Sequence, residues 1–470
     1  MSKPRTITEA VDALRRRDVR AEELVTSSIR AADAFDSTLG VYITRFDESA
    51  LAKAQEIDRR LDAEEEVGPL GGIPVGIKDI AADTEGPTTS QSLVLDPAWA
   101  AQVGEAPVVT RLKDAGSIVM GKVSTMEFAI GSPDPRKPFP VPGSAWAPDR
   151  WAGGSSSGSG SGVASDMFLG ALGTDTSGSI RVPAAWNGIT GLKPTFGLVP
   201  KSGITPLGYT NDHPGPMARS AADCALLLSV MAGYDPSDPY SARRDPVDYV
   251  GALDGNLSGL RIGVDRLHRM SERLDSEQPA RFDAALAELE AAGAQLVEVE
   301  LPLFAEGGTA NIIIMLSESL AYHRNDLLER WDDYGQPTRL IITAVSQISG
   351  ADYIQAQRVR QVAREKVARL FEDVDLLVAP TTHLGPPLLK DVSLLDPFAP
   401  YEGIQTPYWA TLGVPTLAIP IGLCSEGTPL SMSIAAPWWR DDATLRAGDA
   451  YQRRTSFHLD RSPLLSTHDS

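Results

Sequence analysis

Apolar positions recur at two periods along this chain, and the switches between them outline its elements. TEAVDALRRR and AEELVTSSIRAADAF, between Thr8 and Asp36, space their apolar residues three and four apart and predict two amphipathic helices on the outside of a core. VYITRF predicts a strand. ESALAKAQEIDRRLDAEEE predicts a charged helix whose Arg59, Arg60 and Glu64 to Glu66 form a solvated face. GPLGGIPVGIKDI is a short apolar run of strand character that ends on one cation, Lys78. Next come a helix (APVVTRLKDAG), a strand (SIVMGKV) and a short helix around Met126. The proline-rich PDPRKPFPVPGSAWAPDRW then predicts a rigid loop laid over the active site.

Further on, SAADCALLLSVMAG predicts an apolar helix, with His213 in the loop ahead of it. SGLRIGVD, a helix from about Ser276 to Gly293, and AQLVEVELP make a strand–helix–strand unit suited to parallel pairing. Residues 310–371 look mostly helical. VDLLVAPTT and PLSMSIAAP predict strands, TPYWATLGVPTLAIPIGL a helix then a strand, and DDATLRAGDAYQRRTSFH a last helix before a polar tail.

The chemistry concentrates between Gly153 and Pro194 in a Gly/Ser run, an apolar segment and a second Gly/Ser cluster ending in Ser179 and Arg181. A flexible linker would not contain VASDMFLGALGTD, which is apolar and strand-like. The pattern predicts two tight turns, separated by a buried element, that bring two serines together. Glycine lets the main chain approach a reacting carbonyl and aim N–H groups at it, as an oxyanion hole requires. No histidine lies between Met1 and Asp212, so a Ser-His-Asp triad would have to recruit His213 or a later one. A desolvated, neutral lysine can activate serine instead, and Lys78 is placed to be that lysine.

G-G-I-P-V-x-x-K-D, then G-G-S-S-S-G, then G-T-D-T-S-G-S-I-R-x-P, then G-L-K-P-T resembles the amidase signature family in content and order, and Ser179 follows Ser155 by the family's 24 residues. The likeness is to bacterial stand-alone amidases and to the A-type chain of glutamyl-tRNA amidotransferases. It implies an α/β fold, a large central mixed sheet covered by helices on both faces. It also implies one domain over 1–470, with N-terminal helices (1–65), a catalytic core (66–235), a variable helical substrate region (305–372) and C-terminal strands and helix (373–460). Carried over by residue, Ser179 is the nucleophile, Ser155 the bridging serine after a cis Gly154–Ser155 bond, and Lys78 the base. Backbone N–H groups of Thr176, Ser177, Gly178 and Ser179 form the oxyanion hole, and Asp175 with Arg181 is an ion-paired brace. Many relatives carry glycine where Ser177 stands, so a positive φ there would strain the serine. Met126, Phe128 and Ile130 match acyl-pocket positions, with core packing as the equal alternative. Ile312 to Leu316, Trp331 and Tyr334 are further pocket candidates. Arg358, Arg360 and Arg364 lie on a helix; in the amidotransferase chain a nearby arginine binds the carboxylate of glutamine, although many plain amidases carry arginine here too. Asp212 and His213 open a D-x-x-G-P pattern that is loop architecture in the family, and Trp146, Trp151 and Trp186 would suit an aryl group.

Composition narrows the partners. A chain of 470 residues with 42% hydrophobic content can bury a large core. Its net charge of −19, from 62 acidic against 43 basic residues, repels phosphate backbones and anionic headgroups, which argues against nucleic acid and membrane partners. Two cysteines, Cys224 and Cys424, make no disulfide framework, and neither a leader nor a bilayer-length run is evident, so a cytoplasmic location is expected. No phosphate-cradling G-x-x-x-x-G-K-[ST] occurs and no histidine spacing fits a metal site, so neither cofactor nor metal is implied. The expected activity is hydrolysis of a C–N bond in a small amide, anilide or carbamate (a urethanase), or of an ester. The alternative is the ammonia-releasing chain of a glutamine-dependent tRNA amidotransferase; a homodimer is left open.

Overall fold

The computed structural model of the chain describes residues 4–270, 273–396 and 398–466, so the polar tail lies outside the described residues from 467 onward. Eleven strands form one mixed sheet, in the spatial order Tyr42–Arg45, Ile118–Val123, Pro74–Lys78, Gly170–Asp175, His213–Ala218, Thr190–Lys193, Thr416–Leu423, Pro429–Ala435, Leu376–Pro380, Arg261–Val264 and Gln295–Glu298. Pairing is parallel from Ile118–Val123 to Gly170–Asp175 and again over the last three strands. The middle is antiparallel. Pro74–Lys78, Ile118–Val123 and Leu376–Pro380 are buried throughout, which is why they read as unbroken apolar runs: a sheet covered on both faces has no polar side.

The glycines of Gly170–Asp175 show both covers. A Cβ at Gly170 would meet Ile7 and Leu227, from the helices Ile7–Arg15 and Ala221–Met231. At Gly173, three residues on and therefore on the opposite face, it would meet Ile180 and Ser156 beside the two serine loops.

The Gly/Ser run departs from the expected turn. Ser157–Ala164 is a buried α-helix, although alternating glycine and serine are poor helix formers. Close packing explains it: a Cβ at Gly158 would lie 2.6 Å from Val41 O and one at Gly162 2.1 Å from the Phe168 ring. Its serines satisfy themselves on neighbouring backbone, Ser159 donating to Leu172 O (3.0 Å) and Ser161 to Gly143 O (2.8 Å). Tertiary contact thus overrides local propensity, and strand structure begins only at Gly170.

Two other expectations change. His213 does not sit in a loop; it opens the buried strand His213–Ala218. Pro214 and Pro216 disguise that strand, but its pairing with Thr190–Lys193 involves only Met217 and Ala218, so neither proline owes a ladder bond on that side. The proline-rich segment ends in a hairpin, Gly143–Ser144 with Ala147–Trp151, and lines no part of the cavity described below.

Candidate active site

Lys78 ends its strand with its side chain fully buried. Its Nζ donates to Ser155 Oγ at 2.7 Å and to Thr174 Oγ1 at 2.8 Å. Burial pulls its pKa down to about 7, against the opposing pull of the Asp175 and Asp212 carboxylates. Near neutral pH a substantial share of Lys78 is therefore a free amine beside a serine hydroxyl. Ser155 reaches that position from the turn before Ser157–Ala164, and the Gly154–Ser155 peptide is cis.

Ser179 lies between the strand Gly170–Asp175 and the short helix Arg181–Asn187. The Asp175 carboxylate grips the far end of this loop. It accepts from Ile180 N at 3.2 Å and pairs through both oxygens with Arg181 at 2.8 Å, both side chains being wholly buried. Burial pushes Asp175 up, but the Arg181 charge and hydrogen bonds outweigh it and hold the carboxyl below its usual range. A solvated surface pair is thereby excluded. The N–H groups of Thr176, Ser177, Gly178 and Ser179 donate to no other described residue, and Ser179 Oγ has no hydrogen bond to a described residue. The positive φ falls on Gly178 (141°), not on Ser177, so the serine is unstrained.

In front of Ser177, Gly178 and Ser179 lies a cavity of about 130 Å³. Its walls are mostly apolar, formed by Ile130, Leu207, Ile312, Met315, Ile341, Phe398, Tyr401 and Ile404, with Thr406 beside the Ser177–Ser179 segment. Among the described residues that line it, none is Lys, Arg, Asp, Glu or His. Of the sequence candidates, Ile130, Ile312, Met315 and Leu316 line it. Met126 packs instead with Trp151 and Trp186, and Phe128 lies behind the wall, in one cluster with Tyr334 and the lining residues Ile130 and Leu207. Trp146 donates to Asn187 O, and Trp331 is 40% exposed beside Arg339. The arginines turn away: Arg358 is exposed, Arg360 donates to the Thr210 hydroxyl and carbonyl, and Arg364 to Leu412 O.

Three contributors were given no individual site role by sequence reasoning, although Asp212 was placed in a loop-architecture pattern. Thr174, inside the quoted motif, is the second acceptor of Lys78. Asp212 accepts from Thr176 Oγ1 (2.6 Å), Leu207 N (3.0 Å) and Gly208 N (2.9 Å), tying the nucleophile loop to its neighbour. The D-x-x-G-P pattern carried that signal. Its neighbour His213 is buried, with Nδ1 3.1 Å from Asp175 O, and burial pushes its imidazole well below the usual range. The third, the wall formed by Phe398, Tyr401 and Ile404, has no local signature. Among the described residues no group of side chains could hold a metal ion, and no helix is long and apolar enough to cross a membrane.

Known proteins resemble this chain in sequence and in fold. The chain is 35% identical to the A-type chain of the glutamyl-tRNA(Gln) amidotransferase of Chloroflexus aurantiacus, over 98% of each chain. It is 34% identical to an amidase of Pseudomonas putida, over 96% of each. Among solved structures it superposes on a bacterial aryl acylamidase of the amidase signature family with a TM-score of 0.85 at 25% identity, covering 97% of each chain. The amidase family model matches residues 23–445, which include both serine loops, the lysine strand and every residue that lines the cavity. A match of that span, beside relatives that align end to end, makes this chain a member of the amidase family and an amide-hydrolysing enzyme.

Proposed function

We propose that this enzyme cleaves the amide of a compact, uncharged, apolar acyl group through an acyl-enzyme on Ser179. The observation that carries this reading is the cavity of about 130 Å³ in front of Ser179, walled by aliphatic and aromatic side chains and without an ionisable one beyond the Tyr401 hydroxyl, which is engaged by Gly131 O. An apolar cavity of about 150 Å³ accepts benzene, so this one suits a single ring or a short branched chain. Anilides and carbamates of such groups belong to the same class.

Neutral Lys78 takes the proton of Ser155 as Ser155 takes that of Ser179. Ser179 Oγ bonds to the carbonyl carbon, and the resulting oxyanion is held by the free N–H groups of the loop, each worth about 3 kcal/mol where such donors have been removed elsewhere. The Lys78 ammonium returns its proton through Ser155 to the leaving nitrogen as the C–N bond breaks. Water then loses a proton by the same route and releases the acid. In this reading the chain acts as one catalytic domain on a small molecule, without a cofactor.

The amidotransferase relative favours a second reading, in which glutamine is the substrate and ammonia passes to a partner. Glutamine brings an ammonium and a carboxylate, and burying them unpaired is costly. The cavity offers no counter-charge, with Arg360 and Arg364 engaged elsewhere. The first reading therefore ranks higher. Intact-protein mass spectrometry of wild type and Ser179→Ala after fluorophosphonate treatment, with p-nitroaniline release from simple acyl anilides followed in parallel, tests it. One adduct on wild type alone, with turnover, supports a self-sufficient amidase. Labelling without turnover shifts weight to the glutamine reading, and no labelling removes Ser179 as nucleophile.

A further inference from the structure

The Ser179 loop is held from outside at two carbonyls, and the same two peptides carry the Ser177 and Gly178 N–H groups. Asn311 Nδ2, on the helix Phe304–Glu329, donates to Thr176 O at 3.1 Å. Thr406 Oγ1, ahead of the helix Pro407–Leu412, donates to Ser177 O at 2.7 Å. In a trans peptide the C=O and N–H point in opposite directions across one rigid plane. A donor that fixes Thr176 O therefore fixes the Ser177 N–H, and one that fixes Ser177 O fixes the Gly178 N–H.

We propose that Asn311 and Thr406 are positioning residues that aim the Ser177 and Gly178 N–H groups at the developing oxyanion, a role that rests on the acyl-enzyme reading above. Both are contributed from outside the loop and its motif. Asn311 is fully buried, and its Oδ1 has no partner among the described residues, so Thr176 O is the hydrogen bond that orients this amide. Thr406 is itself anchored: its carbonyl accepts from Arg181 at 2.9 Å, which links it to the Asp175–Arg181 pair at the base of the loop. It also sits directly against the loop, since a Cβ on Gly178 would fall 2.0 Å from Thr406 Oγ1. Ile312, Met315 and Leu316, on the same helix as Asn311, line the acyl cavity, so one helix both shapes that wall and steadies the hole.

Preorganised donors contribute only if they need no reorientation as charge develops. Removing the hydroxyl of Thr406 while keeping its shape leaves the Ser177–Gly178 peptide free to tilt. The decisive experiment measures the rate constant and half-saturation concentration for fluorophosphonate labelling of Ser179, across pH, in wild type, Thr406→Val, Thr406→Ser and Asn311→Leu, with Ser179→Ala as blank. Thr406→Val and Asn311→Leu should lower the labelling rate constant by on the order of tenfold or more, with the pH midpoint unchanged because Lys78 is untouched, and with half-saturation little changed because valine keeps the shape that Thr406 presents to the cavity. Thr406→Ser should restore most of the loss. A wild-type rate in Thr406→Val, or a loss that serine does not rescue, overturns the inference while Ser179 labelling still stands. If Ser179→Ala is labelled like wild type, the acyl-enzyme reading itself falls. Melting curves separate this effect from misfolding. Should Asn311→Leu fail to fold, the Thr406 pair decides alone.

Discussion

Two lysines end two strands of the same sheet, and burial pulls each from its ordinary 10.5 down to about 7: Lys78 closes Pro74–Lys78 and Lys193 closes Thr190–Lys193. What differs is the atoms they face. Lys78 donates to two hydroxyls, Ser155 and Thr174. Lys193 donates to two carbonyls, Pro194 O at 3.1 Å and Val414 O at 2.6 Å. A hydroxyl can give its proton to a neutral amine, whereas a carbonyl has none to give. A depressed pKa therefore does not by itself identify a base here; a partner able to pass a proton does. Lys193 holds the strand Thr190–Lys193 to the chain entering Thr416–Leu423, and its charge sits near Arg181, which lowers its pKa further, and near Asp175, which opposes that.

Exchanging each lysine for methionine breaks the comparison most directly. Lys78→Met should lower kcat/KM by roughly 10²–10⁴, the range for a lost general base. In wild type kcat/KM should rise with pH through about 7, because the neutral amine is the active form. Lys193→Met should keep that rise and its midpoint. If the Lys193 variant loses the rise, or the Lys78 variant keeps it, the assignment of the base is reversed.

Asp175 lies within electrostatic reach of both lysines and raises both pKa values, so Asp175→Asn tests what they share. It leaves Arg181 buried without its carboxylate, which should cost about 3–5 kcal/mol in urea denaturation. Any residual activity should have its acid limb moved to lower pH, since the loss of a nearby negative charge favours neutral Lys78. A shift to higher pH would contradict the electrostatics.

The legibility of the two sites in the sequence follows from the same distinction. Lys78, Ser155 and Ser179 could be singled out because the proton relay proposed for them demands particular residue types at fixed spacing. The acyl wall was legible only in part: Ile130, Ile312, Met315 and Leu316 stand among the sequence candidates, but any well-shaped apolar side chain serves there, and Phe398, Tyr401 and Ile404 arrive from more than two hundred residues beyond Ser179. Strands were legible where burial on both faces gives an apolar run, as in Leu376–Pro380, and invisible where prolines interrupt one, as in His213–Ala218. The helix Ser157–Ala164 was hidden for the opposite reason, since its glycines are chosen for close approach to Val41 and Phe168 rather than for helix formation. Thr406 and Asn311 act through single hydrogen bonds to backbone, which leave no motif behind.

The comparison also has a thermodynamic side. A lysine depressed to about 7 in the folded chain is neutral there between about pH 7 and 10.5, while in the unfolded chain it still holds its proton. The unfolded state then binds more protons, so this group makes stability rise with pH across that window. Lys193→Met should remove about 0.7 kcal/mol per pH unit of slope at pH 7, where half of the lysine is neutral, growing toward about 1.4 kcal/mol per unit by pH 8.5, measured by urea titrations at several pH values. An unchanged slope would mean that Lys193 keeps its proton in the fold.

The smallest effect concerns the wall of the cavity and separates two neighbours on one short segment. Ile130 lines the cavity, whereas Phe128, two residues earlier in the same apolar cluster, does not line it and packs against His323 and Tyr334. Ile130→Val should cost only about 0.5–1.5 kcal/mol of stability. The methylene it vacates should favour an acyl group one carbon larger by about tenfold in kcat/KM, the scale on which apolar pockets discriminate a methylene. Phe128→Leu should destabilise the fold without changing that ratio, because its ring contacts other side chains and not the acyl space. If both substitutions shift acyl preference equally, the cavity wall extends through Phe128 and the distinction between lining and packing fails at this point.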